Sequence, residues 1–436
     1  MALNITHVNA YDLEGGASRA AYRIHRSLAD YGEDLGLRSQ MRVIHQQSDD
    51  RSVIGGTVYQ SRMWASIHTR LSRRSRQGFQ TINPSWHSYA WPNTGLGKEM
   101  ERRHLQGEAD VVHLHWMGDS TLSIEEIGRL TMPLVWTMHD QWGFCGAEHY
   151  TSPPDLGETE SSDERFVLGY PASSRPIQEA GPDLTRRTWL RKKSAWQRAI
   201  QIVTPSNWMA ECVRRSALMR EWPVKVIPYP IDLTTWAPFD QRQARSILQL
   251  PPDRPLVLFG AVGGTADSRK GADLMLKALQ RLKTELAETP LAQLELVVFG
   301  QSEPAEQSIL GFPIHYIGKL KDNISLRLLY AAADVMIVPS RQEAFGQTAS
   351  EAHACGTPVV AFRTGGLVDI IDERITGALA EPFDPNSLAQ SLRWVLEDTQ
   401  RLRQLGTAAR CRAEKLWDPK KVCRMYYDLY QELANT

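Results

Sequence analysis

Glu343 and Glu351 stand eight positions apart, the first in a polar loop and the second on a short helix. The chain before them, Val335 to Val338, is a short apolar run stopped by Pro339 and Ser340, as expected of a buried parallel strand. Thr348 to Cys355 reads as a helix that ends at Gly356, with Pro358 just beyond. Val359 to Phe362 is a second buried strand, turned by Gly365-Gly366. Between the carboxylates, Phe345, Gly346, Gln347 and Thr348 place a glycine and backbone N–H groups at a helix start, a setting suited to phosphate. Paired glutamates alone are ordinary on a surface helix. Their place in a strand–loop–helix–strand unit is what suggests chemistry, because open α/β sheets bind ligands at the carboxyl ends of their strands.

Other residues fall at similar places. Gly15 and Gly16 follow the first strand, Leu3 to Asn9, where positive φ and close backbone approach serve either a plain turn or a ligand. Val111 to Trp116 and Leu134 to Met138 are strands that end in His115-Trp116 and in His139-Asp140-Gln141-Trp142. His113, deeper in its strand, reads as a satisfied core imidazole. Arg269 and Lys270 precede an amphipathic helix, an unfavourable place for cations unless an anion arrives.

The elements that must position these residues need a chain long enough for two ordinary domains or three, and 436 residues supply it. The composition, 42% hydrophobic and 23% charged, is that of a globular protein. Equal numbers of basic and acidic residues, 50 each, argue against nucleic acid as a partner. The 5 cysteines are scattered and lack C-x-x-C spacing, which fits reduced thiols. No apolar run reaches the roughly 18 residues that cross a bilayer, and MALNITHVNAYD is no secretory signal, so the expected location is cytoplasmic. Residues 59–77 form a basic amphipathic stretch, either a solvated domain helix or an interfacial helix on anionic membrane. Residues 151–182, rich in Pro, Ser, Gly, Asp and Glu, read as a mobile surface loop. The expected boundaries are 1–235, 236–417 and a C-terminal helix, 418–436, that crosses back to the first domain.

The Glu-x7-Glu pattern with its Pro-Ser, Glu-Ala-Phe-Gly and Cys-Gly-Thr-Pro-Val-Val context resembles retaining GT-B glycosyltransferases of family 4 (glycosyl transferases group 1). VWTMHDQWGFCGAEHY further resembles a subgroup that builds exopolysaccharides of the colanic-acid type. The resemblance implies two doubly wound Rossmann-like domains facing a cleft, the first for acceptor and the second for nucleotide-sugar. Glu343 would hold hydroxyls of the transferred sugar and Glu351 the ribose. Arg269, Lys270 and the N–H groups of Gly346 to Thr348 would meet the diphosphate, Lys319 and Leu320 the base, and Gly15 and Gly16 the donor from across the cleft. His139, supported by Asp140, would orient the sugar, while His115, Trp116 and Trp142 would line the acceptor.

No metal or other cofactor is implied. The implied partners are a nucleoside-diphosphate sugar and a glycan or lipid-linked oligosaccharide acceptor, at the cytoplasmic face of an anionic membrane. Three departures stand out. The arginine that many relatives carry after the second domain's first strand is absent near Val262, with Arg269 as its substitute. Tyr229-Pro230 replaces the usual Asn-Gly of the hinge. The cysteines common in relatives are missing between Cys145 and Cys212. A nucleotide-sugar 2-epimerase of the same fold and a non-catalytic nucleotide-sugar-binding subunit are the alternatives.

Overall fold

A computed structural model of the protein describes residues 2–56, 79–83, 85–90, 95–118, 121–153, 155, 165–260, 267–286, 288–303, 312–320 and 322–435. The basic stretch 59–77 and Val262 lie outside the described residues.

Seven short runs rich in Val, Ile and Leu build the first sheet: β1 (Leu3–Tyr11), β2 (Leu37–His45), β3 (Val53–Ile54), β4 (Val111–Leu114), β5 (Leu134–Thr137), β6 (Gln201–Thr204) and β7 (Val224–Val226). They pair in parallel in the order β3-β2-β1-β4-β5-β6-β7. Both faces of a parallel sheet are covered by crossover helices, which explains why β4 and β5 are buried at every position. The strand order reverses between β1 and β4, so the loops after these two strands diverge and leave room for a ligand. Register places His7 of β1 beside His113 of β4.

The second sheet comprises β8 (Leu256–Gly260), β9 (Glu295–Phe299), β10 (Ile314–Gly318), β11 (Val335–Val338), β12 (Val359–Phe362) and β13 (Gly377–Ala380), in the order β10-β9-β8-β11-β12-β13. It reverses between β8 and β11. The helix Ala272–Leu286 lays Met275, Ala278, Leu279, Leu282 and Leu286 on this sheet at helical spacing.

The chain divides into two compact units, residues 1–230 with 420–436, and residues 231–419. The last helix, Pro419–Ala434, buries Val422, Cys423, Tyr426, Leu429 and Tyr430, and the Tyr430 hydroxyl lies 2.6 Å from His113 Nδ1. The other nitrogen of His113 meets Thr137 Oγ1 at 2.7 Å, so this imidazole is a satisfied core group.

The expected mobile loop 151–182 is corrected over its second part. Residues 165–182 contain the helix Arg165–Leu168 and a turn at Ala172–Ser174, and Ala180 pairs with Gln80. Arg165 holds Asp183 at 2.7 Å, and the fully buried Tyr170 donates to Glu148. Composition counts the prolines and serines of this stretch but cannot weigh two or three anchors with distant partners.

Candidate functional site

In the second unit, the loop after β11 brings the predicted donor residues together. Lys270 Nζ lies 2.5 Å from Glu343 Oε1, which also accepts from Ser340 Oγ at 2.9 Å. Burial alone would raise the Glu343 carboxyl; the Lys270 ammonium, its hydrogen bond and the charge of Arg269 outweigh it and leave the group below its ordinary value. Arg269 bonds Asp267 at 2.7 Å.

Arg341, which the sequence did not single out, fastens this corner. It binds both carboxylate oxygens of Asp273 at 2.7 and 2.8 Å and the Ser268 carbonyl at 2.8 Å. The turn Ser268–Lys270 is thereby tied to the end of β11. In the sequence only the arginine itself, two residues beyond Pro339, is visible; its partner Asp273 lies 68 positions away.

Glycines shape the opposite wall. Gly365 has φ of +54°, and a Cβ there would stand 2.5 Å from the Glu343 carbonyl oxygen. Gly366 donates to that same oxygen at 2.8 Å, so the turn lies flat against the Glu343 backbone. The helix Gln347–Ala354 starts at Gly346, with φ of 104° and no side-chain cap. Glu351 on that helix is 6% exposed and accepts from the Tyr330 hydroxyl at 2.8 Å, a partner not expected from sequence. Phe345 is buried, Gln347 and Thr348 half-buried; Lys319 and Leu320 follow β10, exposed and half-buried.

In the first unit, Gly15 (φ +80°) and Gly16 open the helix Gly15–Tyr31 on exposed backbone. Before them the buried Asp12 accepts the N–H groups of Gln47 and Ser48 at 2.9 and 2.8 Å, fixing the turn after β1. A recess beyond β4 and β5 is lined by Trp116, Met117, His139, Asp140, Gly143 and His149. Asp140 accepts from Trp116 Nε1 at 2.9 Å, from the Trp142 N–H at 2.9 Å and from His149 Nδ1 at 2.6 Å. Burial would raise its carboxyl, and the His149 imidazole together with these bonds holds it below the ordinary value. His149 Nε2 meets Ser88 Oγ at 2.8 Å.

Two acceptor candidates border the recess but are nearly enclosed. His115 is 1% exposed and Trp142 2%, so each offers the recess only a small part of its surface. Trp142 is walled in by Lys192, whose ammonium lies 3.8 Å from the ring centre and donates to the carbonyls of Trp142, Cys145 and Gly146. His115 is an interior link: its Nε2 lies 2.8 Å from His7 Nδ1 and its Nδ1 lies 2.9 Å from His139 Nε2. His139 Nδ1 in turn meets the Tyr229 hydroxyl at 2.6 Å, so both ring nitrogens of His139 are engaged. Sequence reasoning placed His139 at a strand end but could not see that His7 of β1, His115 and Tyr229 form its chain of partners.

Among the described residues, His7, His113 and His115 are grouped closely enough to hold a metal ion, their ligand atoms within 4.8 Å of one another. Of their ring nitrogens only His7 Nε2 lacks a hydrogen-bond partner, so an ion would have to displace existing bonds.

Comparison with known proteins fits this arrangement. Residues 15–235 match Glycosyltransferase Family 4, and residues 240–412 match Glycosyl transferases group 1. The chain belongs to this glycosyltransferase family. D-inositol 3-phosphate glycosyltransferase 2 of Catenulispora acidiphila is 34% identical over 352 residues, 74% of each chain. D-inositol 3-phosphate glycosyltransferase of Geodermatophilus obscurus is 35% identical over 338 residues, 71% of this chain and 68% of the relative. Neither name is that of the colanic-acid type resembled by the segment around His139. Among solved structures, sucrose-phosphate synthase from Thermosynechococcus elongatus aligns over 99% of both chains, with a TM-score of 0.66 and 20% identity. Anabaena HepE in complex with UDP and glucose aligns over 99% of this chain and 100% of its own, with a TM-score of 0.64 and 15% identity. At such identities the likeness shows the fold, that of the GT-B glycosyltransferases. Among the described residues no helix is long and apolar enough to cross a membrane.

Proposed function

We propose that this glycosyltransferase moves a hexosyl group from a nucleoside-diphosphate sugar to an acceptor hydroxyl, with retention of anomeric configuration and without a metal. The observation that carries the donor side is the Lys270–Glu343 ion pair beside the Gly346-started helix, at the reversal point of the second sheet. Departure of a nucleoside diphosphate develops negative charge on the phosphate oxygens. Lys270, Arg269 and the N–H groups at Gly346 to Thr348 are the groups suited to meet it. Glu343, released from Lys270 by the phosphates, would accept hydroxyls of the sugar, and Glu351 the ribose. Lys319 and Leu320 would border the base. With no clear enzyme nucleophile in the sequence, attack on the same face through an oxocarbenium-like state is the mechanism this reading carries.

The first unit takes the acceptor through Trp116 and Asp140, while His139 acts as a fixed group behind them. A growing cell-surface or exopolysaccharide glycan, at the inner face of the membrane, is the acceptor suggested by the segment around His139. The names of the relatives favour a second acceptor, D-inositol 3-phosphate.

UDP- and GDP-sugars incubated with each acceptor, with NMR of the product, decide between them. The reading expects a product whose anomeric coupling matches the donor, formed equally well in EDTA. An inverted product, or none from any donor with either acceptor, would sink it.

A further inference from the structure

His7, His115, His139 and Tyr229 come from four separate parts of the first unit and form one unbroken hydrogen-bonded chain, with links of 2.8, 2.9 and 2.6 Å. Successive imidazoles stack at 5.1 and 5.2 Å with interplanar angles of 25°. Relative exposures are 0%, 1%, 7% and 3% in that order. Burial holds His7 and His115 well below the ordinary histidine range and His139 at about 4, so all three are neutral near pH 7. A neutral imidazole has one N–H and one lone pair. The chain therefore admits only two hydrogen orders, running in opposite directions.

The end atom chooses between them. His7 Nε2 is buried and has no hydrogen-bond partner among the described residues. If hydrogens point from Tyr229 toward His7, that atom carries an N–H with no acceptor, which is the rarer and costlier orphan. If they point from His7 toward Tyr229, it carries only a lone pair. The second order puts N–H on His7 Nδ1, His115 Nδ1 and His139 Nδ1, and the last donates to the Tyr229 oxygen.

We propose that His7 and His115 are positioning residues for glycosyl transfer, locking His139 as its Nδ1–H tautomer against the Tyr229 hydroxyl. The proposal rests on the transferase reading above. It also gives a part to Tyr229, which closes the chain one residue before the first unit's main segment ends at Pro230.

Nitrogen-15 spectra of the full chain with labelled histidine test the hydrogen order directly and need no variant. His139 Nδ1 should show the shift of a protonated ring nitrogen and Nε2 that of a bare one. In His7→Asn an amide N–H remains near the place of Nδ1, whereas His7→Leu offers none. Expected is a kcat within about threefold of wild type for His7→Asn, and about tenfold lower for His7→Leu with donor KM little changed. His7→Leu should also give mixed tautomer signals at His139. An Nε2–H tautomer in the wild type, equal kcat for the two variants, or stoichiometric zinc uptake that His7→Asn abolishes would overturn the proposal. A wild-type chain that shows the expected tautomer but transfers no sugar would reject the transferase mechanism while supporting the hydrogen order.

Discussion

The two sheets end in polar residues of similar kind held in opposite states. After β8 and β11, Lys270 and Glu343 remain 22% and 13% exposed and are paired mainly with each other. After β4 and β5, His115 and His139 are nearly enclosed and satisfied by a chain that runs back to β1. A partly exposed ion pair can exchange its partner for a phosphate or a sugar hydroxyl more readily. A buried imidazole cannot, because opening its bonds leaves unpaired polar groups in a dry interior. Under the proposed function, the second unit would be re-partnered by substrate while the first holds still.

Substitutions should separate these states. The largest effect is expected at Lys270: Lys270→Ala should lower kcat by about 10²–10³-fold while the fold stays intact, as for loss of one charge-stabilising donor. Steady-state turnover checks it, and a rate within threefold of wild type would break the contrast between the units. In the first unit the corresponding loss is one of stability. Lys192→Met removes the donor to three buried carbonyls and should cost about 3 kcal/mol by denaturant unfolding.

The same lysine sets a pH dependence. Burial pushes its ammonium down to about 7, whereas in the unfolded chain it titrates at about 10.4. Between these values the unfolded state holds the extra proton, so stability should rise with pH from about 7 to about 10. Lys192→Met should flatten that rise; an unchanged slope would assign it to another group.

Gly365→Ala sharpens the second unit's side. Its φ of +54° and the 2.5 Å approach to the Glu343 carbonyl oxygen should cost about 1–3 kcal/mol. Donor KM should rise as the loop shifts, which calorimetry and kinetics together would show. The smallest effect is expected for Tyr330→Phe, which takes one hydrogen bond from Glu351 and should weaken donor binding by about 1 kcal/mol. No change in donor affinity would detach Glu351 from the donor site.

Much of the candidate donor site's local structure was legible in the chain, because its parts are local. The strand before Pro339, the helix ending at Gly356 and the turn at Gly365-Gly366 are written in apolar runs and turn residues, and they place Glu343 and Glu351 between them. Arg341 escaped notice because its partner, Asp273, is 68 positions away. The first unit was harder to read. Its strands were identifiable, yet the sequence could not tell that His115 and Trp142, which stand near strand ends, are almost enclosed.

The sequence alone determined that the chain alternates strands and helices twice over, that Glu343, Glu351 and Lys270 sit beside glycine-shaped turns, and that His113 is a core residue. Periodicity and turn chemistry act over a few residues, and those facts follow from them. Only the tertiary structure decided that residues 165–182 pack, that Lys192 caps Trp142, and that His7, His115, His139 and Tyr229 share hydrogens across separations of 108, 24 and 90 positions. Hydrophobic pattern says that a strand is buried; the order and register of parallel strands decide which buried nitrogen meets which.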